Sequence, residues 1–382
     1  MDQGKSDWRP ATLAAQALGK IDEATRAVVP PLHMTSTFIR DPDNLYRSGN
    51  KYGRPDNETV RHGEAIIAAL EGGQAALLFG SGTSAAVALF LGLGHGAHVI
   101  APRAMYWSLR NWLVNEGPAF GLSVDLVAAD DLEAIAAAVQ PGRTELIFLE
   151  TPSNPLWLIS DIAGAAAIAH RAGAKLAVDS TCATPLLTQP LALGADVVMH
   201  SATKYLNGHS DVIAGALVFA AEDELAQRIR QIRTAHGLIL GPFEAFLLIR
   251  GMRTLDLRVN AACKSALDLA ERLSNHAGVA SVLYPGLPTH PGHDLARRQM
   301  RGGFGGMLSI RARGGEKAAI AAAARVKLWK RATSLGGVES LIEHRATIEG
   351  PGSPCPPDLL RLSVGVEDVE DLWRDLDQAL GN

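Results

Sequence analysis

Short runs that are apolar at nearly every position recur along the middle of the chain, and they limit its fold more than any other feature. Ala75 to Phe79, Ala97 to Ala101, Leu146 to Leu149, Lys175 to Val178 and Val197 to Met199 lack the polar alternation of a half-exposed strand. Such runs read as strands buried on both faces, which is the environment of a parallel sheet. Helical stretches lie between them. Ser84 to about Leu91 is alanine-rich, and Asp161 to Arg171 is closed by Ala172-Gly173. Asp130-Asp131-Leu132-Glu133 reads as a capping box opening a helix through Val139. Alternating strands and helices predict an α/β fold: a mostly parallel central sheet with helices on both faces. At 382 residues the chain is too long for one hydrophobic core. From Leu255 a long helix is expected to lead into a smaller C-terminal α+β domain.

Open parallel sheets collect ligands beyond the carboxyl ends of their strands, so the residues at those ends are informative. The first run delivers Ser81-Gly82-Thr83 to a helix N-terminus, where free amides and the helix dipole favour a phosphate. Another delivers Glu150-Thr151-Pro152-Ser153-Asn154-Pro155, the next Asp179-Ser180-Thr181, and the last Ser201, Thr203 and Lys204. Taken singly, each has a plainer reading: a solvated lysine, a helix-capping aspartate, a glycine turn. Together they place a phosphate cradle, an amide, an acid and an amine on one edge. Pyridoxal phosphate (PLP) needs an amine for a Schiff base, a carboxylate for its ring nitrogen and donors for its phosphate.

Composition removes competing classes. The net charge is −4 and no basic run stands out, which argues against a nucleic-acid partner. The longest apolar stretch, Ala85 to Leu93, falls far short of the roughly 20 residues that span a bilayer. Met1 to Lys20 has no apolar signal core, and a soluble cytoplasmic protein is expected. Cys182, Cys263 and Cys355 have neither a disulfide framework nor metal-ligand spacing. No strand runs into GxGxxG, and GxxxxGK is absent.

The segment from Asp179 to Gly215, above all Ser201-Ala202-Thr203-Lys204-Tyr205, resembles the pyridoxal-phosphate enzymes of cysteine and methionine metabolism. These are the cystathionine synthases and lyases and the methionine lyases. Further matches are Pro30-Pro31, Tyr52-Gly53-Arg54 with Asn57, Glu150 to Pro155, Ser334 to Leu341 and Arg361 to Asp368, so the resemblance covers nearly the whole chain. It implies the type I fold of PLP-dependent transferases. By the resemblance, Lys204 holds PLP and moves protons as general base. Asp179 pairs with the pyridinium nitrogen, with Thr181 beside it at the cofactor. Tyr106 stacks on the ring, with a second role as acid or base toward the leaving sulfur. The Gly82 and Thr83 amides and the Ser201 and Thr203 hydroxyls hold the phosphate. Tyr52 and Arg54 reach the phosphate of a neighbouring subunit. Arg361 forks onto the α-carboxylate of a small amino-acid substrate, assisted by Asn154 and Ser334.

The assembly implied is a homotetramer, a dimer of dimers whose active sites are shared between two chains. The chain would divide into an arm over residues 1–60, a PLP-binding domain over 61–254 and the C-terminal domain over 255–382. The reaction first expected is that of a carbon–sulfur lyase, cleaving cystathionine or a related thioether amino acid to a keto acid, ammonia and a thiol. The alternative is a γ-replacement transferase of the cystathionine γ-synthase or O-acylhomoserine sulfhydrylase type. A third reading is a PLP-binding protein without turnover. Three departures from the family pattern bear on this choice. Glu58 follows Asn57 where Asn-Pro-Thr is usual, Trp107-Ser108-Leu109 follows Tyr106 in place of small residues, and Arg345 stands where proline is frequent. Other features read as structural. His290-Pro291-Gly292-His293 is expected in a surface loop, His200 and His209 in packing or loop hydrogen bonds, and Cys182 as a small buried side chain. Gly302 to Gly306 is expected to turn into a strand from Met307 to Ile310.

Overall fold

The computed structural model describes residues 8–350 and 352–381, so the first seven residues of the N-terminal stretch lie outside them. The strands are β1 (Ala75–Phe79), β2 (His98–Pro102), β3 (Ser123–Val127), β4 (Thr144–Glu150), β5 (Lys175–Asp179), β6 (Val197–His200), β7 (Gly215–Phe219), β8 (Val279–Leu283), β9 (Met307–Ala312), β10 (Lys330–Arg331), β11 (Leu341–His344) and β12 (Leu359–Ser363). Seven form a mixed sheet in the order β1-β7-β6-β5-β4-β2-β3. As the apolar runs imply, β2 runs parallel to β3 and β4, and β4 parallel to β5. β1 and β7 pair antiparallel, with Phe79 opposite Gly215. The other five strands form a second sheet, β10-β11-β12-β9-β8, antiparallel except for β10 and β11.

The chain divides into two compact units: Met1–Gly92 with Met199–Asp256, and Leu93–Val198 with Leu257–Asn382. In the first, Asn57 caps the helix Glu58–Glu71, its side chain accepting from the Thr59 and Val60 amides at 2.9 and 3.4 Å. This buried cap gives Asn57-Glu58-Thr59 a structural role. The helix packs on β1 and on the helix Pro242–Met252. Gly63 permits the approach, since a Cβ there would lie 2.9 Å from Leu78 Cδ1. Two polar contacts brace this unit: the ion pair of Arg233 Nη1 with Glu64 Oε1 at 2.5 Å, and a buried hydrogen bond between His200 Nε2 and Glu71 Oε1 at 2.6 Å.

In the second unit, Ile100, Ile147, Leu149, Leu176 and Val178 from β2, β4 and β5 pack with Ile162, Ala165 and Ala169 of the helix Ile162–Arg171. A separate core joins the long helix Leu255–Ser274, through Leu269 and Leu273, to Leu308 and Ile310 of β9 and Leu360 and Leu362 of β12. Trp157 is buried with its indole Nε1 donating to Ser309 Oγ at 2.8 Å, and that hydroxyl donates to the Pro155 carbonyl at 2.9 Å.

Several expectations are corrected in detail. The capping box lies at Ser81 and Ser84, and the helix it opens runs Gly82–Leu91, two residues earlier than its alanine content suggested. Asp131 alone caps the helix at Leu132–Ala137, through the Glu133 and Ala134 amides. The loop lies at the surface at Pro288, Thr289 and Pro291, but His290 within it is buried, and His293 opens the next helix with Nδ1 bonding the Pro285 carbonyl at 2.8 Å. Among the described residues, no helix is long and apolar enough to cross a membrane, and no His, Cys, Asp or Glu group has the makings of a metal site.

Candidate active site

The first unit carries the phosphate-type donors and the amine. Beyond β1 the chain passes Gly80 to Ser81, whose extended backbone (φ −166°) makes it the N-cap of the helix Gly82–Leu91. Ser81 Oγ accepts from the Ser84 amide and Ser84 Oγ from the Ser81 amide, both at 3.0 Å. The cap leaves the Gly82 and Thr83 amides at the positive end of the helix, the place for an anion. The turn is tightly enclosed. A Cβ on Gly82 would lie 2.8 Å from Ser201 Cβ and 2.9 Å from Ser201 Oγ, and one on Gly215 only 2.1 Å from the Ser81 carbonyl oxygen. The ends of β1 and β6 and the start of β7 therefore converge on one small space.

Lys204 is half-buried in a turn just after β6. Its amide donates to the Ser201 carbonyl at 3.0 Å, and its carbonyl accepts from Gly208 at 2.7 Å. Thr203 differs from expectation in one respect. Its hydroxyl accepts from the Ala214 amide at 2.9 Å and donates to the Ala214 carbonyl at 3.1 Å, fastening the turn to the entry of β7. Tyr52 and Arg54 are exposed. Arg54 lies 5.9 Å from the Tyr52 ring centroid and donates to the Thr234 carbonyl at 2.5 Å.

The second unit carries the acids and the substrate-type cation. β4 and β5 end side by side with Glu150 opposite Asp179, both buried. Thr181 donates to Asp179 Oδ1 through its amide at 3.0 Å and its hydroxyl at 2.5 Å. Glu150 takes the Asn154 amide on Oε1 and the Tyr106 amide on Oε2, each at 2.7 Å. Burial first, and the neighbouring Asp179 carboxylate second, push the Glu150 carboxyl up to about 8. Glu150 thus holds two predicted site residues by their backbones. Glu150 opens the segment to Pro155 that carries part of the resemblance, but only the fold reveals this role. Tyr106 is 41% exposed, so its ring is accessible for stacking.

Arg361 in β12 is buried at the centre of a polar knot. It donates through Nη1 to Asn154 Oδ1 at 3.2 Å and through Nη2 to the Ser334 carbonyl at 2.6 Å. Ser334 turns its carbonyl there from a left-handed backbone, φ 86°. Arg361 also pairs with Glu343, its partner across β11 and β12. Burial pulls the guanidinium down to about 10, against the opposing pull of Glu343. The structure therefore brings Arg361, Asn154 and Ser334 together and adds Glu343.

The donor sets fit PLP: two helix-terminal amides beside a serine hydroxyl and an amine in one unit, a buried carboxylate and a buried guanidinium in the other. This is the residue chemistry of a PLP-dependent enzyme that handles amino acids. The family model described as Cys/Met metabolism PLP-dependent enzyme matches residues 11–381, and the chain belongs to that family. It is similar to cystathionine gamma-synthase of Mycobacterium tuberculosis, 46% identical over 378 residues covering 97% of each chain. It is similar also to cystathionine gamma-lyase of Bacillus subtilis, 40% identical over 369 residues covering 94% of this chain and 96% of that one. The solved structure of metB from Corynebacterium glutamicum superimposes with a TM-score of 0.95 at 39% identity, covering 99% of each chain. The protein is thus a PLP-dependent enzyme of cysteine and methionine metabolism, with a small amino acid as substrate.

Proposed function

We propose that this enzyme is a γ-replacement transferase of the cystathionine γ-synthase type, the alternative among the readings above. In that reaction the Cγ–O bond of an O-acylhomoserine breaks and the sulfur of a cysteine thiol forms the new Cγ–S bond. The acyl carboxylate and the thiol proton are released. The observation that carries the proposal is the 46% identity to the mycobacterial synthase, against 40% to the Bacillus lyase and 38% to the cystathionine beta-lyase of Coxiella burnetii.

The residue roles are part of the proposal. Arg361, braced by Asn154 and Ser334, forks onto the substrate carboxylate. Asp179, oriented by Thr181, holds the proton of the ring nitrogen. The Gly82 and Thr83 amides with Ser201 bind the phosphate, and Thr203 secures the turn that carries Lys204. Bound PLP supplies an electron sink for bonds broken at Cα. Lys204 removes the Cα proton and then a Cβ proton, which lets the Cγ substituent depart. Tyr106 covers the ring. Tyr52 and Arg54 serve the site of a neighbouring copy in a dimer of dimers. Val28, Met34 and Ile39, 74%, 64% and 96% exposed, support an arm that packs on another chain. The division at residues 60 and 254 and a cytoplasmic location belong to the same reading.

Product analysis tests it. Purified enzyme with O-acetyl- or O-succinylhomoserine and cysteine is expected to form cystathionine, detected by mass spectrometry, faster than it releases keto acid from cystathionine. The reverse order returns the carbon–sulfur lyase reading, which the identity to the Bacillus gamma-lyase supports. Turnover of neither, with PLP bound, leaves the non-catalytic one.

A further inference from the structure

Arg361 belongs to a buried chain of four charges, Glu349–Arg345–Glu343–Arg361, each residue between 3% and 7% exposed. Arg345 donates through Nη2 and Nε to Glu349 Oε1 at 2.7 and 3.1 Å, and through Nη1 to Glu343 Oε2 at 3.1 Å. The same Glu343 oxygen pairs with Arg361 Nη2. Glu343 Oε1 and Arg361 Nε are buried and have no hydrogen-bond partner among the described residues.

A substrate carboxylate on Arg361 adds a third negative charge to two guanidiniums. Without Arg345, three carboxylates would face one guanidinium, and Glu343 and the substrate would share it directly. Like charges sharing a desolvated site drive one another off or into protonation. We propose that Arg345 is a positioning residue for α-carboxylate recognition: it neutralises Glu343, so that Arg361 accepts the substrate carboxylate instead of being spent on Glu343. The inference rests on the reading of Arg361 as the carboxylate clamp.

The test uses the holoenzyme and two non-reacting probes, L-alanine and ethylamine, which differ in the carboxylate. Wild type is expected to bind alanine more tightly than ethylamine by calorimetry. Arg345→Met is expected to weaken alanine binding by about tenfold or more, one pK unit of unfavourable charge interaction, and to leave ethylamine binding unchanged. With the replacement substrates KM rises by a similar factor while kcat holds within about threefold, the pattern of lost uniform binding. Arg345 also holds Glu349, so each Arg345→Met variant carries Glu349→Gln as well, and neutral groups of similar size then replace the buried charges. Glu343→Gln/Arg345→Met is therefore expected to regain alanine affinity to within about threefold of wild type.

Unchanged alanine affinity in Arg345→Met overturns the proposal, and so does a double variant no better than the single one, which would mark a merely structural role. If Arg345→Met does not fold, Glu343→Gln is compared with the double variant. Equal alanine affinity is expected, and a further loss in the double variant overturns the proposal. A wild-type enzyme indifferent to the carboxylate overturns the clamp itself. An enzyme that proves to be a lyase in the product assay still gives the alanine result.

Discussion

Gly215→Ala is the most direct probe of the phosphate cradle, because the substitution acts from outside it. Gly215 opens β7 opposite Phe79, the last residue of β1. A methyl at its Cβ position would lie 2.1 Å from the Ser81 carbonyl oxygen, 2.5 Å from the Ser81 carbonyl carbon and 2.9 Å from Gly82 Cα. All three are backbone atoms, so no side chain can swing away. Reaching ordinary contact requires the Ser81–Gly82 turn and the start of β7 to separate by about 1 Å, an overpacking cost of about 1–3 kcal/mol. If the turn holds the PLP phosphate, much of that displacement falls on the binding amides. The corresponding loss of PLP affinity is then roughly 5- to 150-fold, at tenfold per 1.4 kcal/mol. Two measurements separate the terms. Urea unfolding of the apoprotein gives the cost to the fold, and PLP titration of the same apoprotein gives the cost to the site. A variant that is less stable yet binds PLP as tightly as wild type refutes the assignment of Ser81 to Thr83 as the phosphate site.

Three further outcomes follow from the two clusters. Lys204→Ala is expected to lose covalent retention of PLP: after borohydride reduction and denaturation, wild type keeps the cofactor's fluorescence and the variant does not. Glu150, raised from the ordinary 4.5 to about 8, binds its proton more tightly folded than unfolded. Its contribution to stability is therefore fully present below about pH 4.5 and is lost as pH rises through about 8. Glu150→Gln, which cannot titrate, is expected to flatten the urea midpoint across that window; an unchanged slope would assign the titration elsewhere. Trp157→Phe removes the donor to Ser309 from a wholly buried site and is expected to cost about 1–3 kcal/mol in urea unfolding. It tests how far that hydrogen bond anchors the Asn154–Pro155 segment.

What was legible in the sequence follows burial. β1, β4, β5 and β6 are almost wholly buried, and hydrophobic composition alone finds such strands. β3 lies at the sheet edge with Ser123 and Asp125 in it, too mixed to stand out. β7, Gly215 to Phe219, is wholly buried and as apolar as those buried strands, but it adjoins the Lys204 motif and does not stand apart from it. The helix start at Gly82 escaped because glycine has poor helix propensity, although Ser81 and Ser84 form its cap. Lys204 and Asp179 stood out because each follows an apolar strand, while Arg361 was reached only through the family resemblance. Glu343 was not legible. A single acid in a four-residue strand acquires meaning only when the antiparallel register sets it opposite Arg361.

The same structure ranks the three departures from the family pattern. Replacement and elimination share the proton removals and the loss of the Cγ group, and they diverge in which nucleophile arrives. No residue of the shared machinery can decide between them, so attention falls on what this chain has changed. Glu58 is held by Lys20 first and Arg61 second, which pull its carboxyl down to about 2. Its charge is balanced at the start of its own helix. Trp107 is covered by Arg110 of its own helix, whose guanidinium carbon lies 4.9 Å from a ring centroid. Arg345 differs from both. Its charge passes through Glu343 to Arg361, a residue 16 positions away that the proposed reaction uses directly. Coulomb interaction is strongest where water is excluded, and this chain of charges is buried throughout, whereas Lys20 and Glu58 are 40% and 35% exposed at their side chains. A change at Arg345 therefore reaches Arg361 with little screening, while a change at Glu58 is met by solvent. Of the three, Arg345 is the one whose replacement is expected to alter substrate recognition under the proposed role of Arg361.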